Sequence, residues 1–396
     1  MTEALEKTDI LIAGGGLAGA SLALLLCRYT DFSVTLVEAA PFAKPSNDPL
    51  TPSFDARKLA LAASSLATFE QLGLLPQLLA QSADILEVDV STKGHLGQVR
   101  LTSAEMQVPR LGAVIESRRL GRLLLDSVFA EPRIRVLAPE RVEQLTRRTD
   151  GYEVRLKGGA NWHCRLLVVA EGAQSTTRDL LGIAAHHQDT GEAALVLNVA
   201  VETAPDGVAF ERFLPTGPLA FLPLPEQRLA VVWAGKQAEV QRLAALDDAA
   251  FLAALQTEAE PLGIHIASLG QRAHYPLVTS HSAAQAIPHA VVVGNAAHAL
   301  HPVAAQGFNL SLRDLDTLAQ TLAGASDPGE LALLEQYVAA RQSDQVSVGL
   351  ASSGLLSLFR VQFAPFAHAR QLGMMAFSLL PGLRRSFTRR AMGLSR

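Results

Sequence analysis

The first forty residues contain the feature that most restricts how this chain folds. A short apolar segment, Asp9–Ala13, is followed by the run GGGLAG at residues 14–19, which fits the pattern G-x-G-x-x-G. An Ala- and Leu-rich stretch without proline, Leu17–Tyr29, predicts a helix. The segment Ser33–Val37 predicts a second strand, and Glu38 lies at the end of that strand. Strand, glycine turn, helix and second strand in this order predict a βαβ unit that binds a dinucleotide.

Each residue of this motif has an expected physical role. Gly14 permits the tight turn, Gly16 lets the backbone approach a pyrophosphate, and Gly19 lets the helix pack closely on the strand. Glu38 is placed to accept a hydrogen bond from a ribose hydroxyl and to repel a 2′-phosphate. The motif does not distinguish NAD from FAD. The predicted contacts to the dinucleotide are Gly14, Gly16, Leu17, Ala18, Gly19 and Glu38.

A second glycine-containing loop follows a strand late in the chain. The apolar run Ala290–Val293 predicts a buried strand that breaks at Gly294-Asn295, and a helical pattern resumes after Gly307. Strand ends of this kind hold phosphates and ribityl chains in α/β proteins. The helix start at Gly307, Phe308 and Asn309 is expected to direct N–H groups at the ligand. His298 and His301 lack partners at metal-ligand spacing, so we expect no metal site.

The middle of the chain predicts a β-meander and then an antiparallel block. The meander spans Val142–Ala170, and its third strand is apolar enough to enter the main sheet before the turn at Glu171-Gly172. Residues 190–235 alternate and carry few ionisable groups, which predicts a second domain that lines an apolar pocket. The candidate substrate contacts there are Phe221, Leu222, Pro223 and Tyr275.

Two arginine positions are candidate cofactor contacts. Arg57 precedes a stretch predicted to be helical, Leu59–Leu72, and a cation at a helix start requires a compensating partner. That partner is either flavin or substrate, or else Asp55 or Asp48 in a salt bridge. Arg118, near the start of a predicted helix over residues 116–129, either contacts the cofactor or faces solvent.

Composition narrows the functional class. Hydrophobic residues make up 49% and charged residues 18% of 396 residues, as in globular proteins, and the net charge of -4 argues against nucleic-acid binding. Cys27 and Cys164 are too few for a disulfide framework, which favours a reducing cytosol. The acidic residues before the first strand argue against a signal peptide, and no apolar run is long enough to predict a transmembrane helix.

The last 52 residues carry an excess of positive charge. No Asp or Glu follows Asp344, and seven arginines do, so this segment is +7 while residues 1–344 are -11. The same segment contains five phenylalanines. A basic, Phe-rich helical segment is typical of a surface that meets an anionic membrane or a partner, although a packed helix with an exposed Arg face would give the same pattern.

Three motifs in order resemble the group A flavoprotein monooxygenases, which have the para-hydroxybenzoate-hydroxylase-like fold. They are GGGLAG with Glu38, VVAEGAQS at 168–175 and VVVGNAAHALHPVAAQGFNLSLRD at 291–314. Within that group the chain resembles the ubiquinone-biosynthesis hydroxylases of the 2-octaprenyl-6-methoxyphenol hydroxylase (UbiH) type. The segments that carry this closer resemblance are FDARKLALAASS (54–65), AFERFLPTGPLAFLPL (209–224), YPL (275–277), GNAAHALHPVAAQGFNL (294–310) and ARQSD (340–344).

The chain departs from the wider group at two positions. Glu171 and Asn295 stand where the group usually has Asp. The Asn form is typical of the UbiH-type members, and its carbonyl oxygen can still accept from a ribityl hydroxyl. The longer Glu171 keeps acceptor chemistry but alters the placement of the turn.

The resemblance implies an α/β fold with three parts. A Rossmann-like FAD-binding domain would comprise 1–75, 105–185 and 271–345. An inserted mixed β-sheet substrate domain would comprise 76–104 and 186–270. A basic helical segment, 346–396, would face the membrane or a partner.

The resemblance also implies a reaction. NAD(P)H would bind transiently and reduce FAD, O2 would add to give a C4a-hydroperoxide, and the terminal oxygen would attack a polyprenylated phenol in ubiquinone biosynthesis. Candidate catalytic groups are Arg57, His298, His301 and Pro302. The expected partners are other ubiquinone-biosynthesis proteins, and the expected location is cytoplasmic, at the inner face of the cell membrane.

Three other functions fit the same residues. One is a sibling hydroxylase that acts on another ring carbon or on a soluble phenol. Another is a flavin-dependent halogenase, but Lys58 lacks the required Trp-rich context, since Trp162 and Trp233 are the only tryptophans. The third is a non-catalytic flavin-holding subunit of a biosynthetic complex.

Overall fold

The computed structural model describes residues 5–42, 57–94, 98–300, 306–360 and 380–394, with 351–360 described by their backbone only. The strands, in chain order, are β1 (Glu6–Ala13), β2 (Val34–Val37), β3 (Lys58–Ala62), β4 (Ala83–Ile85), β5 (Glu87–Thr92), β6 (Gln98–Thr102), β7 (Gly112–Glu116), β8 (Ile134–Leu137), β9 (Val142–Arg148), β10 (Gly151–Leu156), β11 (Asn161–Val169), β12 (Ala185–Val201), β13 (Val208–Leu214), β14 (Gly217–Leu224), β15 (Arg228–Lys236), β16 (Ile266–Leu269), β17 (Ala273–Ser282), β18 (Ala286–Ile287), β19 (Ala290–Val292) and β20 (His298–Ala299).

The α-helices, in chain order, are α1 (Leu17–Tyr29), α2 (Ala63–Gln71), α3 (Leu75–Leu79), α4 (Ser103–Met106), α5 (Ser117–Ala130), α6 (Thr176–Leu180), α7 (Gln237–Ala244), α8 (Asp248–Ala259), α9 (Gln306–Thr321), α10 (Leu331–Arg360) and α11 (Pro381–Ala391). None of the helices in the described residues is long and apolar enough to cross a membrane.

The first sheet has a parallel centre with the order β19-β11-β1-β2-β8. Its central strands are apolar on both faces because both faces are covered. Helices α1, α5 and α9 pack on one face, and residues of the β9–β10 hairpin pack with those of the other face. Registers pair Ala13 with both Val37 and Val169, and Val169 with Val292. The strands therefore end together, and the turns after them lie along one edge of the sheet.

The second sheet is mixed and mostly antiparallel, with the order β20-β17-β12-β15-β14-β13-β5-β6. Helices α7 and α8 cover one face and form a core with it. The opposite face, here called the inner face, packs on the small antiparallel sheet β3-β7-β4. The predicted α/β architecture with an inserted mixed sheet is confirmed.

One sequence expectation requires correction in detail. The predicted helix at Leu59–Leu72 is wrong in its first part, since Lys58–Ala62 form β3, paired antiparallel with β7, and the helix begins at Ala63. Small apolar residues carry little periodicity, and pairing with a distant strand decided their conformation. The predicted domain boundary at residue 270 falls before β17, which pairs with β12 of the second sheet.

The C-terminal helix α11 docks across the junction of the two sheets. Arg384 pairs with Glu105 of α4 at 2.7 Å, and the Ser64 N–H donates to the Met392 carbonyl at 3.1 Å. The Met392 side chain is buried among Leu222 and Ala230 of the inner face and Val114 of the small sheet. The end of this helix is therefore part of the core between the sheets.

Candidate active site

Glycines shape the edge where the parallel strands end. Gly14 has φ +108°, and a Cβ there would lie 2.6 Å from the Ala170 backbone. A Cβ on Gly19 would lie 1.8 Å from the Gly14 carbonyl oxygen. These two glycines are required by contacts within the protein, because any side chain would push α1 away from β1 and β11.

Three other glycines at this edge face open space. A Cβ built on Gly16, Gly172 or Gly307 would meet no atom within 4 Å. Gly16 is the N-cap of α1, and neither α1 nor α9 has an acidic residue in its first turn. Two helix N-termini with open approaches and no acidic residue in their own first turns form a cradle for a dinucleotide with phosphate groups. The residues present therefore fit FAD.

The acids of this edge are hydrogen-bonded to nearby turns. Glu38 accepts from the Gly15 N–H and the Ala40 N–H, each at 2.8 Å. Glu171 accepts from the Ser175 hydroxyl at 2.6 Å and the Thr177 N–H at 2.9 Å, so its carboxylate caps the short helix α6. The Glu171 side chain is thus long enough to bond the residues that follow its turn and begin α6. Asn295, in contrast, is exposed at the Gly294 turn.

Arg178 was not predicted as a site residue, yet it joins two of these turns. Its side chain is 2% exposed, and Nη1 donates to the carbonyls of Ala173 at 3.1 Å and Ala296 at 3.0 Å. Its Nε has no hydrogen-bond partner in the described part of the chain. A buried arginine held mainly by carbonyls fixes the Glu171 and Gly294 turns relative to each other. Its place seven residues after the acid-Gly turn is the only sequence signal.

His298 belongs to a buried ion network behind the cradle. Its Nε2 lies 2.7 Å from Asp314 Oδ2, while the other oxygen of Asp314 accepts from Arg341 at 2.6 Å. Arg341 also bonds Asp344, which accepts from Arg313 at 2.8 Å. Burial raises the pKa of the Asp344 carboxyl, but the two arginines outweigh it and hold the pKa below its usual value. The network ties α9 to α10.

Asn309 lies in the first turns of α9, but its side chain is committed elsewhere. Its Oδ1 accepts from the Ala62 N–H at 2.8 Å and the Ser65 hydroxyl at 2.6 Å, and its Nδ2 donates to Ala60. The amide thus links α9 to the β3–α2 junction. Any contact of Asn309 with the cofactor would therefore come through its backbone.

Arg57 and Arg118 flank the small sheet, since Arg57 directly precedes β3 and Arg118 lies in the first turn of α5 after β7. Glu116 receives hydrogen bonds from Lys58 at 3.1 Å and from Arg118. Burial raises the pKa of Glu116, but these bonds outweigh it and hold the pKa below its usual value. Arg57 is exposed immediately before β3, and its carbonyl accepts from the Ser117 N–H at 2.9 Å. The reading of Arg57 as the first residue of a helix is wrong, because a strand follows it.

The predicted substrate contacts divide between the two faces of the second sheet. Phe221 is fully buried in the core beneath α7 and α8, and strand alternation places Pro223 on that face as well. Leu222 packs on the inner face, and Tyr275, 45% exposed, is directly opposite Ala194 of β12. His301 and Pro302 lie outside the described residues.

Comparisons with known proteins agree with this geometry. Residues 7–347 match the family described as FAD binding domain. The chain is 36% identical to the ubiquinone hydroxylase UbiL of Rhodospirillum rubrum, over 98% of this chain and 90% of that protein. It is 29% identical to the 3-demethoxyubiquinol 3-hydroxylase of Escherichia coli, over 98% of this chain and 99% of that protein.

Solved structures show the same fold. The p-nitrophenol 4-monooxygenase PnpA from Pseudomonas putida superposes with a TM-score of 0.80 at 14% identity, over 99% of this chain and 100% of that one. The anhydrotetracycline hydroxylase OxyS from Streptomyces rimosus gives 0.72 at 21% identity, over 98% and 76%. The glycine cradle, the sheet order and these matches agree, and the chain belongs to the FAD binding domain family, as an FAD-dependent monooxygenase of its ubiquinone-hydroxylase branch.

Proposed function

We propose that this protein hydroxylates a polyprenylated phenol of the 2-polyprenyl-6-methoxyphenol type, with NAD(P)H as the reductant and O2 as the oxygen donor. The observation that carries the proposal is the placement of an open glycine cradle at a strand edge next to an apolar inner face. The similarity to ubiquinone hydroxylases supports the same substrate class.

The cofactor and the chain divide the chemistry between them. Bound FAD supplies the electron storage and oxygen activation that side chains lack. In this proposal Gly16, Leu17 and Ala18 hold the pyrophosphate, Glu38 receives the adenosine ribose, and Asn295 holds the ribityl chain. The N-terminus of α9 at Gly307 and Phe308 stabilises negative charge on the flavin ring.

The inner face has the composition that an isoprenoid phenol requires. It presents Val88, Val90, Ala209, Leu222 and Ala230 toward the small sheet. Apolar side chains there accept a prenyl chain and exclude water from the reacting oxygen. Leu222 and Tyr275 remain the substrate contacts of this proposal, and Phe221 is assigned to packing because it faces the opposite core.

Rapid kinetics with a short-chain 2-prenylphenol test the reaction. The purified holoprotein is mixed with NADH or NADPH, with and without the phenol, and nicotinamide consumption and product are measured together. We expect phenol-dependent acceleration with one hydroxylated product for each nicotinamide oxidised. Equal rates with and without every phenol tested, with no product, would instead indicate a flavin-holding protein without this activity.

We also propose that α11 brings the protein to an anionic membrane surface, where a polyprenylated phenol is dissolved. Leu383 and Phe387 are exposed at 57% and 44%, and Arg385, Arg389 and Arg390 are exposed beside them. Exposed apolar and basic residues on the same short helix suit the headgroup region of an anionic bilayer. Because Met392 lies between the sheets, this surface adjoins the inner face.

Vesicle sedimentation tests the membrane proposal. The triple variant Arg385→Gln, Arg389→Gln, Arg390→Gln should lose binding to vesicles rich in anionic lipid, at about 1 kcal/mol per arginine. A matched variant, Arg141→Gln, Arg147→Gln, Arg155→Gln, removes three exposed arginines around the β9–β10 hairpin and should bind like the parent. Unchanged binding of the first variant, or equal loss in both, would contradict the proposal.

A further inference from the structure

Glu211 is a carboxylic acid on the inner face of the second sheet. Along β13, Phe210 and Leu214 pack in the core beneath α8, and Arg212 pairs with Glu258 of α8. Side chains alternate between the faces of a strand, so Glu211 lies on the opposite face together with Ala209. Ala209 belongs to the apolar cluster between the inner face and the small sheet.

The neighbours of Glu211 in the sheet give it no polar partner. It is paired with Ala220 of β14 and with Val90 of β5. Among the described residues, no hydrogen bond or ion pair reaches its carboxylate. The side chain is nevertheless only partly covered. The carboxylate is therefore not sealed from solvent, while its neighbours in the sheet and Ala209 are apolar.

Burial raises the pKa of the Glu211 carboxyl to about 7. The charged pair that faces the second sheet from the small sheet, Lys58 and Glu116, is satisfied internally. A charged or half-charged carboxyl held against an apolar sheet face without a partner is unfavourable for folding. Such a group is expected where a ligand supplies the missing partner.

We propose that Glu211 is the group that accepts the hydrogen bond of the phenol hydroxyl and removes its proton during hydroxylation. This inference rests on the proposed function and extends it to a named residue. The apolar neighbours hold the ring and prenyl chain, and the carboxylate sets which way the hydroxyl points. Glu211 is thus assigned to contact the substrate itself.

The proton step balances without any further reactant. The phenol O–H bond breaks, its electron pair stays on the phenolic oxygen, and the proton forms an O–H bond with a Glu211 oxygen. The phenolate places electron density on the ring carbons beside the oxygen, which are the positions that an electrophilic oxygen attacks. A base whose pKa is near the working pH suits this transfer, whereas an ordinary exposed glutamate would be too weak a base.

The variant Glu211→Gln tests the base, since it preserves size and hydrogen bonding but cannot take a proton. Using FAD-loaded protein and a short-chain 2-prenylphenol, we expect kcat for product to fall about 100-fold or more, with a smaller change in KM. The rise of kcat/KM with pH near neutrality in the parent should disappear. Glu211→Asp, which retains a carboxylate, should restore part of the rate and the pH dependence.

Glu202→Gln is the matched control, because it makes the same chemical change at an exposed residue directly after β12 of the same sheet. It should leave kcat, KM and the pH profile unchanged. Parent-like kcat and pH profile in Glu211→Gln would overturn the inference while leaving the proposed function intact. A parent protein that forms no hydroxylated product with any phenol would instead refute the proposed function.

Thermal unfolding without substrate gives a second measurement that does not depend on activity. The pKa of Glu211 in the folded protein lies above its unfolded value of 4.5, so the parent loses stability as pH rises from about 4.5 to about 7. Glu211→Gln removes this loss. Its Tm should exceed that of the parent at about pH 8 and approach it at about pH 5. A Tm difference that is independent of pH would show a carboxyl with an ordinary environment and would contradict the inference.

Discussion

Arg178 and Asp314 are buried charges that contact the segment between Ala296 and His298, directly behind the cofactor cradle. Neither residue was assigned a role from sequence, because burial of a charged side chain is decided by the fold around it. The spacing of the glycines predicted the tight turn at Gly14 and the close packing at Gly19, since that spacing reflects local backbone geometry. The structure adds that Gly14 and Gly19 serve packing while Gly16 faces open space.

Replacing Arg178 should loosen the cofactor cradle. Arg178→Ala removes the donor to the buried Ala296 carbonyl and to the part-buried Ala173 carbonyl and creates a cavity, so we expect a loss of about 2–4 kcal/mol in unfolding free energy. FAD affinity should fall as well, because the Glu171 and Gly294 turns lose their link. Denaturant titration and flavin fluorescence measure the two effects. Unchanged FAD affinity in a folded variant would show that the turns hold their positions independently.

Replacing Asp314 removes one acceptor from the buried ion network and should lower the free energy of unfolding. Asp314→Ala leaves Arg341 and His298 without their shared acceptor, and a loss of about 3–5 kcal/mol is expected. Asp316→Ala, on the same helix but with part-exposed bonds to Tyr29 and Gln320, should cost less than about 1 kcal/mol. Chemical denaturation of both variants compares them directly, and equal losses would contradict the account of the network.

At the scale of elements, the sequence predicted those helices and strands whose contacts are local or whose apolar residues recur at regular spacing. Helix α1, the β9–β10–β11 meander and the strand that enters the main sheet were all predicted. The segment Lys58–Ala62 was not, because its pairing with Gly112–Glu116 joins residues at least fifty positions apart. The sequence also did not decide which face of β14 meets the substrate, because alternation along a strand separates two faces without identifying them.

The docking of α11 can be tested through substrate delivery. Met392→Ala removes a buried side chain between the sheets, which should weaken this end of the helix by about 2–5 kcal/mol. KM for a long-chain prenylphenol presented in anionic vesicles should rise more than KM for a short-chain phenol in solution. Steady-state kinetics with both substrates provide the comparison. Equal changes in the two KM values would indicate damage to the site and no role in delivery.

At the scale of the whole molecule, the segregation of charge was visible in the sequence, and its structural use was not. The excess of arginine after Asp344 predicted a basic surface. The structure places four of those arginines on α11 and shows that one of them, Arg384, pairs with Glu105. The remaining three face outward, beside the junction of the two sheets. The chain thus has a cofactor edge, an apolar inner face and a basic surface next to one another.

The central claim is that the protein transfers one oxygen atom from O2 to a prenylated phenol. Mass spectrometry of the product formed under heavy-oxygen O2, from NAD(P)H and a short-chain 2-prenylphenol, tests this claim most directly. The account predicts a hydroxylated product that carries one heavy oxygen atom. A hydroxylated product without the label, or NAD(P)H consumption that yields only hydrogen peroxide with every phenol supplied, would contradict it.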